Sequence, residues 1–114
     1  MTLGLDFYDT ITSNIPRFRD LAKTILDGGG RVVIITAVTP SNEKRVRLEI
    51  SRSRIPFTEV EVVLYGKYSE IPKLKLEKCR LHKVDIMIDD HPNTCKCLSK
   101  YGYTALSVTP KGTK

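Results

Sequence analysis

A short apolar run, Leu3-Gly4-Leu5, ends in Asp6, and Tyr8, Asp9 and Thr10 follow at once. Far along the chain a second run, Ile86-Met87-Ile88, ends in Asp89 and Asp90. Buried parallel strands read as near-continuous apolar runs. In an open α/β sheet, chemistry collects just past the carboxyl ends of the strands. If the two strands are parallel neighbours, Asp6, Asp89 and Asp90 meet at one edge. Carboxylates crowded in this way repel unless some protonate or a cation lies among them. A hard divalent ion such as Mg²⁺ fits such a place, because it takes oxygen ligands and keeps waters and substrate phosphate in its shell.

The elements that must position these groups alternate. A strand over Thr2–Phe7 leads into a loop over Tyr8–Asn14. Ile15, Phe18, Leu21, Ala22, Ile25 and Leu26 recur at helical spacing, with Pro16 in the first turn and Ser13 or Asn14 as cap. Gly28-Gly29-Gly30 ends that helix and is followed by no other, so it does not read as a phosphate-binding loop. Val32-Val33-Ile34-Ile35 is a β-branched strand ending at Thr36. A basic helix is expected over Asn42–Ser53, stopped by Pro56, and a weaker edge strand over Glu61–Tyr65. Residues 66–72 read as loop, Lys73–His82 as a helix leading into the strand that ends at Asp89, and Pro92–Lys100 as a fourth helix closed by Gly102. A last strand spans Tyr103–Val108, and the tail from Pro110 to Lys114 reads as frayed. This alternation predicts one α/β domain over residues 1–114, a three-layer parallel sheet with helices on both faces.

The chain has 114 residues, the size of one domain, and a formal net charge of +6. That charge suits anionic partners such as nucleotides or nucleic acid, though a solvated basic surface explains it equally. No signal peptide is apparent and the apolar runs are too short to span a membrane, so a soluble cytoplasmic protein is expected. Cys79, Cys95 and Cys97 are an odd set and argue against a disulfide framework. Their spacing, with His82 and His91, is not that of a zinc finger or ribbon. Arg45, Arg47, Arg52 and Arg54 could track a phosphate backbone, but no aromatics for base stacking are interleaved with them, so a solvated face is expected.

In order and spacing, strand–Asp6, strand–Thr36, a lysine before the fourth strand, and Asp89-Asp90 resemble the haloacid dehalogenase superfamily of hydrolases, over nearly the whole chain. The resemblance implies a Rossmann-like sheet in the order 3-2-1-4-5. It implies an Mg²⁺-dependent phosphomonoesterase in which Asp6 is the nucleophile, Thr36 holds a phosphate oxygen and Lys75 balances charge, with Lys73 and Lys78 as rivals for that role. The metal would sit on Asp6, Asp89 and the backbone carbonyl of Tyr8, with help from Asp90. The family's phosphatases read Asp-x-Asp-Gly-Thr where this chain reads Asp6-Phe7-Tyr8-Asp9-Thr10. Tyr8 thus stands where the family's acid–base aspartate stands, and a phenol is a poor base at neutral pH. Asp9 stands at the glycine, a position Asp tolerates better than most residues. A tyrosine in that place also resembles the metal-independent dehalogenases, but the paired acids resemble the metal-dependent branch. The segments from Thr10 to Thr36 and from Thr36 to Lys75 leave no room for a cap domain. An open site is expected, serving a phosphorylated substrate such as a nucleotide, a nucleic-acid end or a phosphoprotein, or covered by a second subunit in a homo-oligomer. A catalytically degenerate phosphate-binding or protein-interaction module is the competing expectation.

Overall fold

A computed structural model of the chain describes residues 1–109; the expected frayed tail, 110–114, lies outside them. The elements run β1 (Thr2–Leu5), α1 (Ile15–Asp27), β2 (Arg31–Val38), α2 (Glu43–Ser53), β3 (Glu59–Leu64), α3 (Ile71–His82), β4 (Ile86–Asp89), α4 (Pro92–Lys100) and β5 (Thr104–Ser107). The strands form one five-stranded sheet in the order β3-β2-β1-β4-β5, parallel throughout. This is the α/β, three-layer Rossmann-like arrangement expected from the alternation. No helix among the described residues is long and apolar enough to cross a membrane.

Alternation along the strands splits the interior into two cores. Leu3, Leu5, Val32 and Ile34 pack with Ala22 of α1 and with Val46 and Ile50 of α2 on one face. Val33, Ile35 and Met87 pack with Leu76 and Cys79 of α3 and Leu98 of α4 on the other. Gly4 faces this second layer, where a Cβ would sit 2.7 Å from Met87 Sδ. The missing side chain lets the central strand lie close under its neighbour.

The boundaries differ from expectation for local reasons. β1 ends at Leu5, yet the Asp6 amide still donates to the Ile88 carbonyl at 3.0 Å, so the β1–β4 pairing holds Asp6 in place. The segment after it is not plain loop: Ile11–Ser13 forms a 3-10 turn, and Asn14 then caps α1 by accepting from the Arg17 amide. Residues 66–72 carry a second 3-10 turn, Tyr68–Glu70, and α3 begins at Ile71 because Pro72 is harmless in a first helical turn. β3 starts earlier than expected, at Glu59, and lies at the sheet edge.

Candidate active site at the carboxyl edge of the sheet

Because β1 lies between β2 and β4, the residue after β1 has the end of β2 on one side and the end of β4 on the other. Asp6, Thr36 and Asp89 therefore gather without any long-range loop. All three are buried. α3 packs against the same layer and delivers Lys75, also buried, whose Nζ lies 2.9 Å from Asp6 Oδ1 and 2.7 Å from Asp89 Oδ2. The rivals are elsewhere: Lys73 is exposed, and Lys78 pairs with Glu61 at 3.5 Å.

Thr10 closes the motif that begins at Asp6. Its buried hydroxyl lies 3.3 Å from Asp6 Oδ2 and 3.3 Å from Asp90 Oδ1, tying the first loop to the acid pair. The 3-10 turn that follows folds the chain back and makes this contact possible, and no apolar periodicity announces it. Asp9 is exposed with φ 58°, the left-handed backbone its position requires, and its amide donates to Thr12 Oγ1 at 2.8 Å.

Burial pushes the Asp6 carboxyl up to about 6, with Lys75 opposing and Asp90 adding to the rise. Asp89 is raised too, first by burial and then by Asp6. Burial works against the charge of Lys75, but Asp6 and Asp89 outweigh it and its pKa lies above the ordinary lysine value. Asp6, Asp89 and Asp90 each offer an oxygen, all within 4.8 Å of one another. Three carboxylates against one ammonium leave a formal charge of −2, in a place where burial already disfavours charge. An all-oxygen set with that deficit could hold a divalent cation.

Tyr8 behaves differently from the rest. Its phenol donates to Glu49 of α2, and burial together with that bond pushes its pKa up to about 12. Nothing in the sequence linked Tyr8 to Glu49, forty-one positions away. His91 donates its amide to Asp89 Oδ1 at 3.0 Å and bonds Thr94 Oγ1 through Nδ1 at 2.6 Å.

These groups line a polar cavity of about 150 Å³ that holds Asp6, Thr36, Lys75, Asp89 and Asp90 and is walled by Tyr65, Tyr68 and His91, with Tyr8 and Asp9 at its margin. Among the described residues, the Thr36 hydroxyl is the buried side-chain polar atom without a hydrogen-bond partner. A larger cavity, about 380 Å³, lies between α2 and β3 around Arg47, Ile50 and Phe57, away from these groups. A second acidic cluster, Glu59, Glu61 and His82, forms where β3 begins and α3 ends. Arg31 and Lys78 already pair with its acids, so it reads as an ion-paired seam. The cysteines are free thiols; Cys79 is buried, and Cys95 Sγ lies 3.6 Å from the Asp89 carbonyl oxygen.

No family model matches the chain, and no curated protein does. Solved structures do. A chain of a Pnkp1/Rnl/Hen1 complex is similar at 11% identity and TM-score 0.70, over 94% of this chain and 45% of that one. A chain of the Pnkp1/Rnl/Hen1 RNA repair complex matches at 11% identity and TM-score 0.70, over 94% and 42%. A universal stress protein in complex with cAMP matches at 14% identity and TM-score 0.61, over 95% of both chains. This chain spans less than half the length of the first two. At these identities the likeness is one of fold.

Proposed function

We propose that the chain is a metal-dependent phosphohydrolase of the haloacid dehalogenase type, acting on a phosphomonoester of a nucleotide or a nucleic-acid end. The observation that carries this reading is Thr36. A buried hydroxyl without a partner costs free energy, roughly 1–3 kcal/mol. It lines the cavity that holds Asp6 and Lys75, and a phosphate oxygen there would give it a partner.

The residues would share the work as follows. Lys75 and Thr10 hold one oxygen each of Asp6, fixing the carboxylate for attack on phosphorus. As the bond from Asp6 to phosphorus forms, the bond from phosphorus to the ester oxygen breaks, and the leaving alkoxide takes a proton from solvent water. Water then cleaves the aspartyl phosphate, regenerating Asp6 and releasing phosphate. Lys75 offsets charge throughout. Asp6, Asp89 and Asp90, with the Tyr8 carbonyl, are the groups that would hold Mg²⁺, which when bound would offset the negative charge of the carboxylates and of the phosphate oxygens. The fold shared with a chain of an RNA repair complex agrees with a nucleic-acid end but does not choose it.

One feature favours a second reading, a phosphate-binding module that turns over little. The phenol at the acid–base position is held by Glu49 and is too weak an acid and too poor a base at neutral pH. Both readings meet in one assay. Wild type with Mg²⁺ should cleave p-nitrophenyl phosphate, whose leaving group needs little protonation, and should cleave nucleoside monophosphates far more slowly. Tyr8→Asp should narrow that gap, since general acid–base help is worth about 10²–10⁴-fold. Thr36→Val should weaken inorganic phosphate binding. If wild type cleaves neither ester and Tyr8→Asp rescues neither, while phosphate still binds, the module reading replaces the enzyme.

A further inference from the structure

β3 and β4 flank the central pair of strands, and the residues that follow them lean toward each other across the carboxyl edge. Tyr65 follows β3, Tyr68 sits on the 3-10 turn after it, and His91 follows β4. The rings of Tyr65 and Tyr68 meet edge to face with centroids 6.1 Å apart, and those of Tyr68 and His91 with centroids 5.1 Å apart. All three line the cavity that holds Asp6. The result is a continuous aromatic wall running from one side of the sheet to the other beside the nucleophile. Tyr68, in its middle, is 62% exposed. A large ring left in water at the mouth of a polar cavity offers a face that a flat partner could cover.

The cavity does not end at this wall. A cleft of about 360 Å³ shares Tyr8, Ala37 and Tyr65 with it and continues past Thr39 and Asn42 to Arg45 on α2. That volume is within the range of small-molecule sites. Arg45 pairs with Glu49 at 3.4 Å, but its side chain is 74% exposed and remains open to an anion. In sequence, the basic helix carried no aromatics among its arginines. The folded chain brings them from other segments, and one of them, Tyr65, lines both the cleft that reaches Arg45 and the cavity that holds Asp6.

We infer that the aromatic wall and the adjoining cleft form a subsite for the nucleoside of a nucleoside monophosphate, free or at the end of a single strand, with the base stacked on Tyr68. This rests on the reading of the polar cavity as a phosphate site. Every base has a π-face, so an aromatic platform accepts a base whatever its sequence, and polar groups beside it can take the sugar. In a strand, the next phosphate would reach toward Arg45. A phosphorylated serine side chain has no flat group to use this wall, which is why the nucleoside is favoured over a phosphopeptide.

The test is a binding measurement without turnover, on the wild-type protein with Mg²⁺. The probes are inorganic phosphate, methylphosphonate, a nucleoside methylenephosphonate, and a short single-stranded oligonucleotide ending in the same phosphonate. The nucleoside probe should bind more tightly than methylphosphonate. Tyr68→Ala should weaken the nucleoside probe by about 5- to 150-fold, from the 1–3 kcal/mol that stacking a base contributes. It should leave phosphate and methylphosphonate unchanged, and Tyr68→Phe should keep the affinity, since the ring carries it. An oligonucleotide that binds more tightly than the nucleoside and loses only that excess in Arg45→Ala identifies a strand end; equal binding identifies the free nucleotide.

Several results would overturn the inference. They are equal binding of nucleoside and methyl probes, a Tyr68→Ala loss that extends to inorganic phosphate, or a phosphoserine peptide that binds as tightly as the nucleoside. If inorganic phosphate itself fails to bind, the phosphate-site reading falls first and the subsite falls with it.

Discussion

Replacing Asp6, the proposed nucleophile, should make the metal-free protein more stable. Asp6 is raised from 3.8 to about 6, first by burial, with Lys75 only partly offsetting it. An acid whose pKa is higher in the folded state binds its proton more tightly there. Stability therefore rises as pH falls through about 6 toward 3.8, and is lower by the full amount above pH 7. Two units at 1.36 kcal/mol each put that penalty at about 3 kcal/mol. Asp6→Asn removes the charge and keeps the shape, and Lys75 retains Asp89 at 2.7 Å. At about 4 °C per kcal/mol for a domain of this size, the variant should melt some 10 °C above wild type at pH 8 in chelator. The difference should shrink toward pH 5, where wild-type Asp6 protonates. Mg²⁺ at a hundred times its dissociation constant should return about 2.7 kcal/mol to wild type, and far less to Asp6→Asn or Asp89→Asn. Scanning calorimetry across this grid of pH and metal reads all of it. If Asp6→Asn melts below wild type at pH 8 without metal, the Lys75–Asp6 pair outweighs burial and the reasoning is wrong.

The same cluster makes the opposite prediction for its cation. Lys75→Met leaves Asp6 and Asp89 buried without their partner, which typically costs about 3–5 kcal/mol; the loss at pH 8 in urea unfolding should diminish at pH 5, where the carboxyls take protons, and with saturating Mg²⁺. Away from the site, Glu61 lies below its ordinary value of 4.5, chiefly through its hydrogen bond with His82, against opposing burial. A depressed acid contributes stability above its unfolded pKa and loses it as pH falls through the folded one. Urea midpoints should therefore drop below about pH 4.5 more steeply in wild type than in Glu61→Gln, and parallel curves would show that the seam adds no acid sensitivity.

The sheet and most of the site's parts were legible because they depend on local pattern. Val32–Ile35 is a β-branched run, the two apolar runs ending in acids read as buried strands beside it, and strands alternating with helical stripes point to a parallel sheet. Strand order was not readable from periodicity; it came with the resemblance. Lys75 was legible only as one of three lysines, because the choice depends on which helical face meets the sheet, and Leu76 and Cys79 of the same helix point into that layer. Thr10 stood in the first motif and His91 directly after the acid pair, but Glu49, Tyr65 and Tyr68 carried no signal that could be tied to the site. Tyr8 reaches Glu49, and Tyr68 reaches His91, across many positions of chain, contacts that leave no periodic trace. Asp9 is the reverse case: an exception to the family's pattern that the backbone absorbs at φ 58°.

These contacts bear on what the site is suited to do. Its polar groups are already committed to partners: Lys75 spans two acids, the Tyr8 phenol is held by Glu49, and the Nδ1 of His91 is taken by Thr94. On the proposed reading, the position of the acid that would hand a proton to a departing alkoxide is filled by the Tyr8 phenol. Stacking a base on Tyr68 could return about 5- to 150-fold of the rate, provided that contact tightens as the reaction proceeds. The missing acid forfeits about 10²–10⁴-fold. The two ranges meet only at their ends, so over most of them the gain falls short of the loss and affinity and turnover should separate. On the proposed reading, nucleoside monophosphates would be held well and cleaved slowly, while esters with leaving groups that need no proton would turn over faster despite weaker binding.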